Sequence, residues 1–216
     1  MQNYYNGFRN DQSAYYPILP KRILEIGGGD GENRKNFNCE VEYWLIEPNL
    51  ESATSAKNIV TNVYVGTYDE VSELIPDGYF DLIICNDVIE HIPNWSQFLI
   101  NIQNKLTDTD SVLIGSIPNI RFFHSLYILL MKKDWPYERL NGGIFDITHL
   151  AFFTLISLTN ELIYAKFKIN KISLERKFKY TKNQNKIKYL ITLIFIAILG
   201  KDSAYSHIYF SVSKIQ

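Results

Sequence analysis

The sequence predicts an α/β fold built on a parallel sheet, and three observations carry that prediction. Strand-like and helix-like stretches alternate between residues 22 and 118. The run Phe80-Asp81-Leu82-Ile83-Ile84-Cys85 is nearly continuous in apolar residues, as suits a strand buried on both faces. Finally, Arg22-Ile23-Leu24-Glu25-Ile26 ends in Gly27-Gly28-Gly29-Asp30-Gly31-Glu32, where a strand must turn sharply and glycine lets the backbone take φ > 0 and approach a ligand. At 216 residues and 46% hydrophobic content, the chain can bury a full core as one domain, 1–216, with insertions.

The elements follow in order. Residues 1–20 are aromatic without a period, and the expectation there is a short helix or lid whose tyrosines, Tyr5 among them, cover a bound ligand. After the glycine turn come a short helix over 32–37 and a second strand over 41–46 that ends in Glu47. Pro48 breaks that strand and Asn49 caps a helix over 50–57. A third strand over 59–65 closes at Gly66-Thr67, followed by a helix over 69–75 and a Pro76-Asp77-Gly78 turn. The fourth strand, 80–85, empties into Asn86-Asp87-Val88-Ile89-Glu90-His91, and a helix over 95–106 precedes the fifth strand, 111–117. Beyond Pro118-Asn119 the alternation loosens: a helix-like 122–132 and an irregular 135–149 make 119–153 an insertion that builds a pocket. A helix over 154–164, a strand over 167–174, a basic-then-apolar helix over 182–200 and a strand over 205–213 bring the strands to seven.

The net charge of −1 conceals an asymmetry, since residues 1–120 carry 7 Lys/Arg against 17 Asp/Glu and residues 121–216 carry 15 against 6. The basic half is the expected home of an anionic ligand. Cys39 and Cys85 lack C-x-x-C spacing, so neither a disulfide nor a zinc site is indicated, no metal is expected, and both read as free thiols of a reducing cytoplasm. No charged, apolar, small-residue leader opens the chain. The apolar run 189–199 is 11 residues long, short of the roughly 20 that span a bilayer. It is expected to pack on the sheet or in a homodimer, with peripheral contact to an anionic membrane as the second account.

The chemistry-bearing residues cluster at strand ends. Gly27-x-Gly29-x-Gly31 has Glu32 where a dinucleotide fingerprint would place its third glycine, and Glu47 lies about 20 residues after Gly27, where an acid can hold ribose hydroxyls. Together they point to a nucleoside-type cofactor. Glu25 lies within a buried strand, where a carboxylate costs several kcal/mol unless it is hydrogen-bonded, so a ligand ammonium or backbone amides are expected beside it. Asp87 and Glu90 form the D-x-x-E pattern of a helix cap, and Glu90 is read as that cap. His91 follows at the end of strand four, where a neutral imidazole can take a proton from a substrate hydroxyl. Asp146 and His149 are three apart and fit either a substrate pocket or a loop anchored through the backbone.

Ile23-Leu24-Glu25-Ile26-Gly27-Gly28-Gly29-Asp30-Gly31, with Glu47 and Phe80–Ile84 followed by Val88-Ile89-Glu90-His91-Ile92, resembles the motifs of class I S-adenosylmethionine-dependent methyltransferases. The resemblance covers residues 20–118. It implies a doubly wound sheet in the order 3-2-1-4-5-7-6 with strand 7 antiparallel, and S-adenosylmethionine as cofactor, leaving as S-adenosylhomocysteine. It also implies a cofactor site of Glu25, Gly27, Gly28, Gly29, Gly31, Glu47, Thr67, Asn86 and Asp87. Ile117-Pro118-Asn119-Ile120 and Gly143-Ile144-Phe145-Asp146-Ile147-Thr148-His149-Leu150-Ala151-Phe152-Phe153-Thr154 are similar to a "P-N … D-x-T-H-L-R-F-F-T" pattern of bacterial methyltransferases encoded with surface-polysaccharide genes. That narrower similarity implies an anionic glycan-precursor acceptor, O-methylated on a sugar or phosphate-type oxygen. Tyr5, Asn119, Arg121, Asp146 and His149 would bind it, and His91 would act as base. Ala151 replaces the usual Arg, and Thr67 stands where many relatives carry an Asp that contacts adenine.

Other functions are open at this stage. A small-molecule methyltransferase of another pathway fits the same motifs, and a non-catalytic methyltransferase-like subunit has Thr67 and Ala151 in its favour. An NAD-dependent oxidoreductase is disfavoured by the missing third glycine. A nucleic-acid methyltransferase is disfavoured because Asn86-Asp87-Val88-Ile89 stands where an Asn-Pro-Pro-Tyr or Asp-Pro-Pro-Tyr base-holding motif would follow strand four.

Overall fold

The computed structural model describes residues 15, 19–37, 40–107, 110–139, 143–178 and 186–215. The expected 1–20 lid, Tyr5 included, falls almost wholly outside them, as do Cys39 and the start of the 182–200 helix. One seven-stranded sheet organises the rest: β1 Arg22–Ile26, β2 Glu42–Glu47, β3 Asn62–Val65, β4 Leu82–Asn86, β5 Val112–Pro118, β6 Phe167–Lys177 and β7 Tyr205–Lys214. Their order is β3-β2-β1-β4-β5-β7-β6. Strands β1 to β5 pair in parallel, and β7 runs antiparallel to both β5 and β6. The order and the antiparallel strand are those the resemblance implies.

Side-chain alternation makes β1 two-sided. Leu24 and Ile26 join Ile46, Ile83, Cys85, Phe98, Leu158 and Leu162 in one apolar layer, while Ile23 joins Tyr43, Leu45, Leu82, Ile84 and Tyr209 in the other. Between the strands run α1 Leu50–Ala56, α2 Tyr68–Val71, α3 Trp95–Ile102, α4 Phe123–Tyr127, α5 Leu155–Tyr164 and α6 Lys186–Leu199. Asn49 caps α1 by accepting the Ser52 N–H at 2.9 Å, and Thr154 caps α5 by accepting from Ser157 at 3.1 Å. The short helix expected at 32–37 is a 3-10 turn over Glu32–Asn36.

Several boundaries differ from the sequence expectation for local reasons. The helix expected over 69–75 is one α-turn followed by a 3-10 turn, Ser72–Leu74. The helix-like 122–132 passes from α4 into a π-turn, Ile128–Lys132, that ends at Lys133 in the left-handed region, φ 55°. Strand β6 runs on past 174 to Lys177, beyond a register shift at Ile169/Lys171. The larger correction concerns α6. Leu190, Ile191, Leu193, Ile194 and Ile198 are 41–77% exposed, so this helix does not bury its apolar surface against the sheet of its own chain. Among the described residues no helix is long and apolar enough to cross a membrane.

Candidate active site

Parallel strands end together, and ligands of open α/β sheets bind beyond those carboxyl ends. Here a cleft of about 680 Å³ opens there, lined by Glu25 to Gly29, Glu47, Thr67, Asn86, Asp87, His91, Asp146 and Thr148 among others. A hollow of about 700 Å³ lies by Asp110, Val112, Lys168 and Lys214, at the start of β5 and away from the glycine turn.

One wall is backbone. Gly27, Gly29 and Gly31 all sit in the left-handed region, with φ of 68°, 59° and 79°, where side chains are strained. A Cβ on Gly27 would lie 2.6 Å from Val88, and one on Gly28 would lie 2.3 Å from Leu45 and 2.5 Å from Glu25 Oε2. The turn therefore has no room for side chains and presents bare backbone to the cleft.

Glu47, at the end of β2, accepts the Gly29 N–H at 2.9 Å and the Asn49 N–H at 2.8 Å. It thus ties the glycine turn to the α1 cap. Burial pushes its carboxyl up from its usual value, and those two backbone hydrogen bonds pull back against the shift. A carboxylate offers about four lone-pair sites, so two remain for ribose hydroxyls. Glu25 is only 4% exposed and accepts from Asn33 Nδ2 at 3.0 Å and Tyr43 OH at 2.6 Å. Asn33 and Tyr43 are partners of Glu25 that the sequence motif does not reveal.

Thr67 lines the cleft and starts α2, its N–H and hydroxyl both donating to Glu70 Oε2 at 2.7 and 2.9 Å. Asp87 is held in the left-handed region, φ 52°, where its N–H donates to the Ser116 carbonyl and its Oδ1 accepts from Ser116 Oγ at 2.7 Å. Its Oδ2 faces His207 Nε2 at 3.9 Å. Asn86 lines the cleft beside it.

The opposite wall comes from the expected insertion. Leu150 and Ala151 donate their N–H groups to the Glu90 carbonyl at 2.8 and 3.2 Å, which staples the 143–151 loop to the 3-10 turn Ile89–His91. This staple brings His91, Asp146 and His149 together. His91 Nδ1 lies 3.0 Å from Thr148 Oγ1, and that hydroxyl donates to Asp146 Oδ1 at 2.6 Å. Burial works to raise the Asp146 carboxyl, but the Thr148 side-chain and backbone hydrogen bonds and the two nearby histidines outweigh it and hold it below its usual value. His149 is 9% exposed, its ring packed edge-on to that of His91 at 4.7 Å. Burial depresses its pKa first of all, and the His91 charge adds to that. Glu90, expected as a cap, is instead 1% exposed with its Oε1 at 3.8 Å from His149 Nε2.

Two expected acceptor residues are placed elsewhere. Asn119 is buried, donating to the Asp202 and Tyr205 carbonyls at 3.1 and 2.9 Å and accepting the Arg121 N–H at 3.1 Å. Arg121 pairs with Asp202 and donates to the Leu199 carbonyl at 2.6 Å. Both tie the end of β5 to the segment after α6, and neither lines the cleft. Conversely, Arg139, Arg176, His207, Asn33 and Thr148 line it without having been singled out. Only Thr148 carried a sequence signal, inside the D-x-T-H pattern. Arg176 reaches the cleft because β6 is longer than its apolar pattern suggests.

Comparison with known proteins accords with this geometry. A family model described as "Methyltransferase domain" matches residues 1–171. The chain is similar to the ubiquinone biosynthesis O-methyltransferase of Rickettsia bellii, 25% identical over 125 residues covering 55% of this chain and 51% of that protein. It is likewise similar to the protein of that name from Rickettsia conorii, 25% identical over 195 residues covering 86% and 64%. The chain spans about half the length of most of the curated relatives it matches. Among solved structures, a SAM-dependent methyltransferase from Archaeoglobus fulgidus superposes with a TM-score of 0.66 at 18% identity, covering 93% of this chain and 89% of that one. With the bare glycine turn and the strand-end Glu47 on one side of a single cleft, these matches identify the chain as a member of the methyltransferase domain family, with S-adenosylmethionine as its cofactor.

Proposed function

We propose that the chain O-methylates a small, hydroxyl-bearing, anionic acceptor held between the His91 wall and the β6/β7 edge of the cleft. When bound, S-adenosylmethionine supplies a methyl group activated on a sulfonium. The glycine turn would hold its amino acid part and Glu47 its ribose hydroxyls, with Thr67, Asn86 and Asp87 completing that side. The observation that carries the reading is the chain Asp146–Thr148–His91, in which an ionised carboxylate orients a hydroxyl that orients an imidazole at the cleft surface. A base positioned by a third group is what proton removal from an acceptor hydroxyl needs. Arg139, Arg176 and His207, which also line the cleft, support an anionic acceptor.

A sugar or sugar-phosphate of a surface-glycan precursor is the acceptor class that the P-N … D-x-T-H similarity supports. An oxygen of a ubiquinone precursor is the acceptor that the relatives' printed names support. Both readings place the methyl group on oxygen. Methyl transfer from labelled S-adenosylmethionine, run across nucleotide sugars and hydroxybenzoates, tests the reading. Labelled product from either panel supports it and names the class, whereas label only on amines or on phosphate oxygens would overturn it.

A further inference from the structure

We infer that Glu90, His91 and His149 form a binding site for one divalent first-row transition-metal ion at the acceptor end of the cleft. One ligand atom from each residue lies within 4.8 Å of the other two. Bonds of 2.0–2.2 Å to one ion put three donors about 3.0–3.7 Å apart, so a closing movement of about 1 Å brings all three onto one ion. Glu90 and His149 are buried, at 1% and 9% exposure, and His91 borders the cleft. The ion would therefore sit at the cleft wall with its protein ligands behind it.

The surroundings of the two imidazoles point the same way. A metal-ligating histidine nearly always has its second nitrogen tied to a backbone carbonyl or a carboxylate, which fixes tautomer and ring orientation. His91 meets the Thr148 carbonyl at 3.2 Å through Nδ1. His149 presents Nε2 toward Glu90 Oε1 at 3.8 Å. Thr148, bonded to His91 and held by Asp146, locks the loop that carries His149. The 3-10 turn Ile89–His91 places two donors side by side, and the Leu150 and Ala151 bonds to the Glu90 carbonyl deliver the third.

The donor set selects the ion. Two imidazoles and one carboxylate suit manganese, iron, cobalt or zinc rather than the all-oxygen ions magnesium and calcium. Three protein ligands leave positions open toward the cleft. A hydroxyl occupying one would lose its proton to solvent more readily, as zinc-bound water does; in the ion-loaded protein this would take the place of proton removal by His91, whose Nδ1 is held by Thr148 and whose Nε2 would be the ion's ligand. This last step rests on the proposed placement of the acceptor; the ion site does not.

Metal content of the full chain purified without chelator, followed by Zn²⁺ and Mn²⁺ titration of the EDTA-treated protein by calorimetry, tests the inference. The expected result is close to one equivalent of ion. His149→Gln and Glu90→Gln should each weaken binding about 100-fold or more, and Thr148→Val about 10-fold as an outer-shell loss. S-adenosylhomocysteine affinity should hold in all three. If Glu90→Gln does not fold, His91→Gln reports on the same site from the cleft surface. No ion retained and no saturable heat with either metal would overturn the inference, as would wild-type metal affinity in the folded variants. One bound ion without transfer to any hydroxyl acceptor would support the site and fault the functional reading.

Discussion

At the scale of single residues, the site assigns different work to groups that look alike in the sequence. Glu25, one residue before the end of β1, and Glu47, at the end of β2, both line the cleft, yet Glu25 accepts from the side chains of Asn33 and Tyr43, while Glu47 accepts from the backbone N–H groups of Gly29 and Asn49. Because burial raises the Glu47 carboxyl and ribose hydroxyls bind best to its ionised form, protonation competes with the cofactor. S-adenosylhomocysteine affinity should therefore fall as pH drops from about 7 toward about 5, measured by calorimetry at each pH. Glu47→Gln should bind more weakly and lose that slope. For His91, the expected outcome of His91→Ala is turnover lower by about 10²–10⁴-fold with cofactor affinity nearly unchanged. Steady-state kinetics alongside a cofactor titration separates the two quantities.

At the scale of elements, the loop between α4 and α5 matters more than its irregular sequence suggests. It is held to the 3-10 turn Ile89–His91 by backbone bonds, and no hydrophobic period announces such a staple. The glycine turn was legible because it needs three left-handed residues in five positions, and few residues other than glycine accept that. The strand pattern was legible for the same kind of local reason, since a strand buried on both faces must be apolar throughout. Asn119 and Arg121 were misplaced because a polar pair after a strand end reads equally as ligand-binding or as a chain tie. Here both tie β5 to the segment after α6. Asn119→Ala would strand the Asp202 and Tyr205 carbonyls in a buried place, at about 1–3 kcal/mol each. It should lower the melting temperature by about 5–10 °C while leaving the acceptor KM near wild type in folded protein, read by a thermal melt and by kinetics.

At the scale of the whole molecule, one sheet gives the cofactor and the acceptor opposite walls of one cleft: β1, β2 and β4 carry the first, and the insertion with β6 and β7 carries the second. The charge asymmetry of the sequence follows this division. Glu25, Glu47 and Asp87 come from the acidic half, whereas Arg139, Arg176 and His207 come from the basic half. The exposed apolar face of α6 was not legible, because an apolar helix reads as buried until its neighbours are known. The whole account rests on the cofactor lying along the bare glycine turn with its ribose on Glu47. Calorimetric titration of S-adenosylhomocysteine into wild type and Glu47→Ala tests that most directly. Charge-assisted hydrogen bonds contribute about 1.5–3 kcal/mol each, so the account predicts micromolar binding to wild type and about 10–150-fold weaker binding to a variant that still melts cooperatively. Equal affinity in the two proteins, or no binding to wild type, would contradict it.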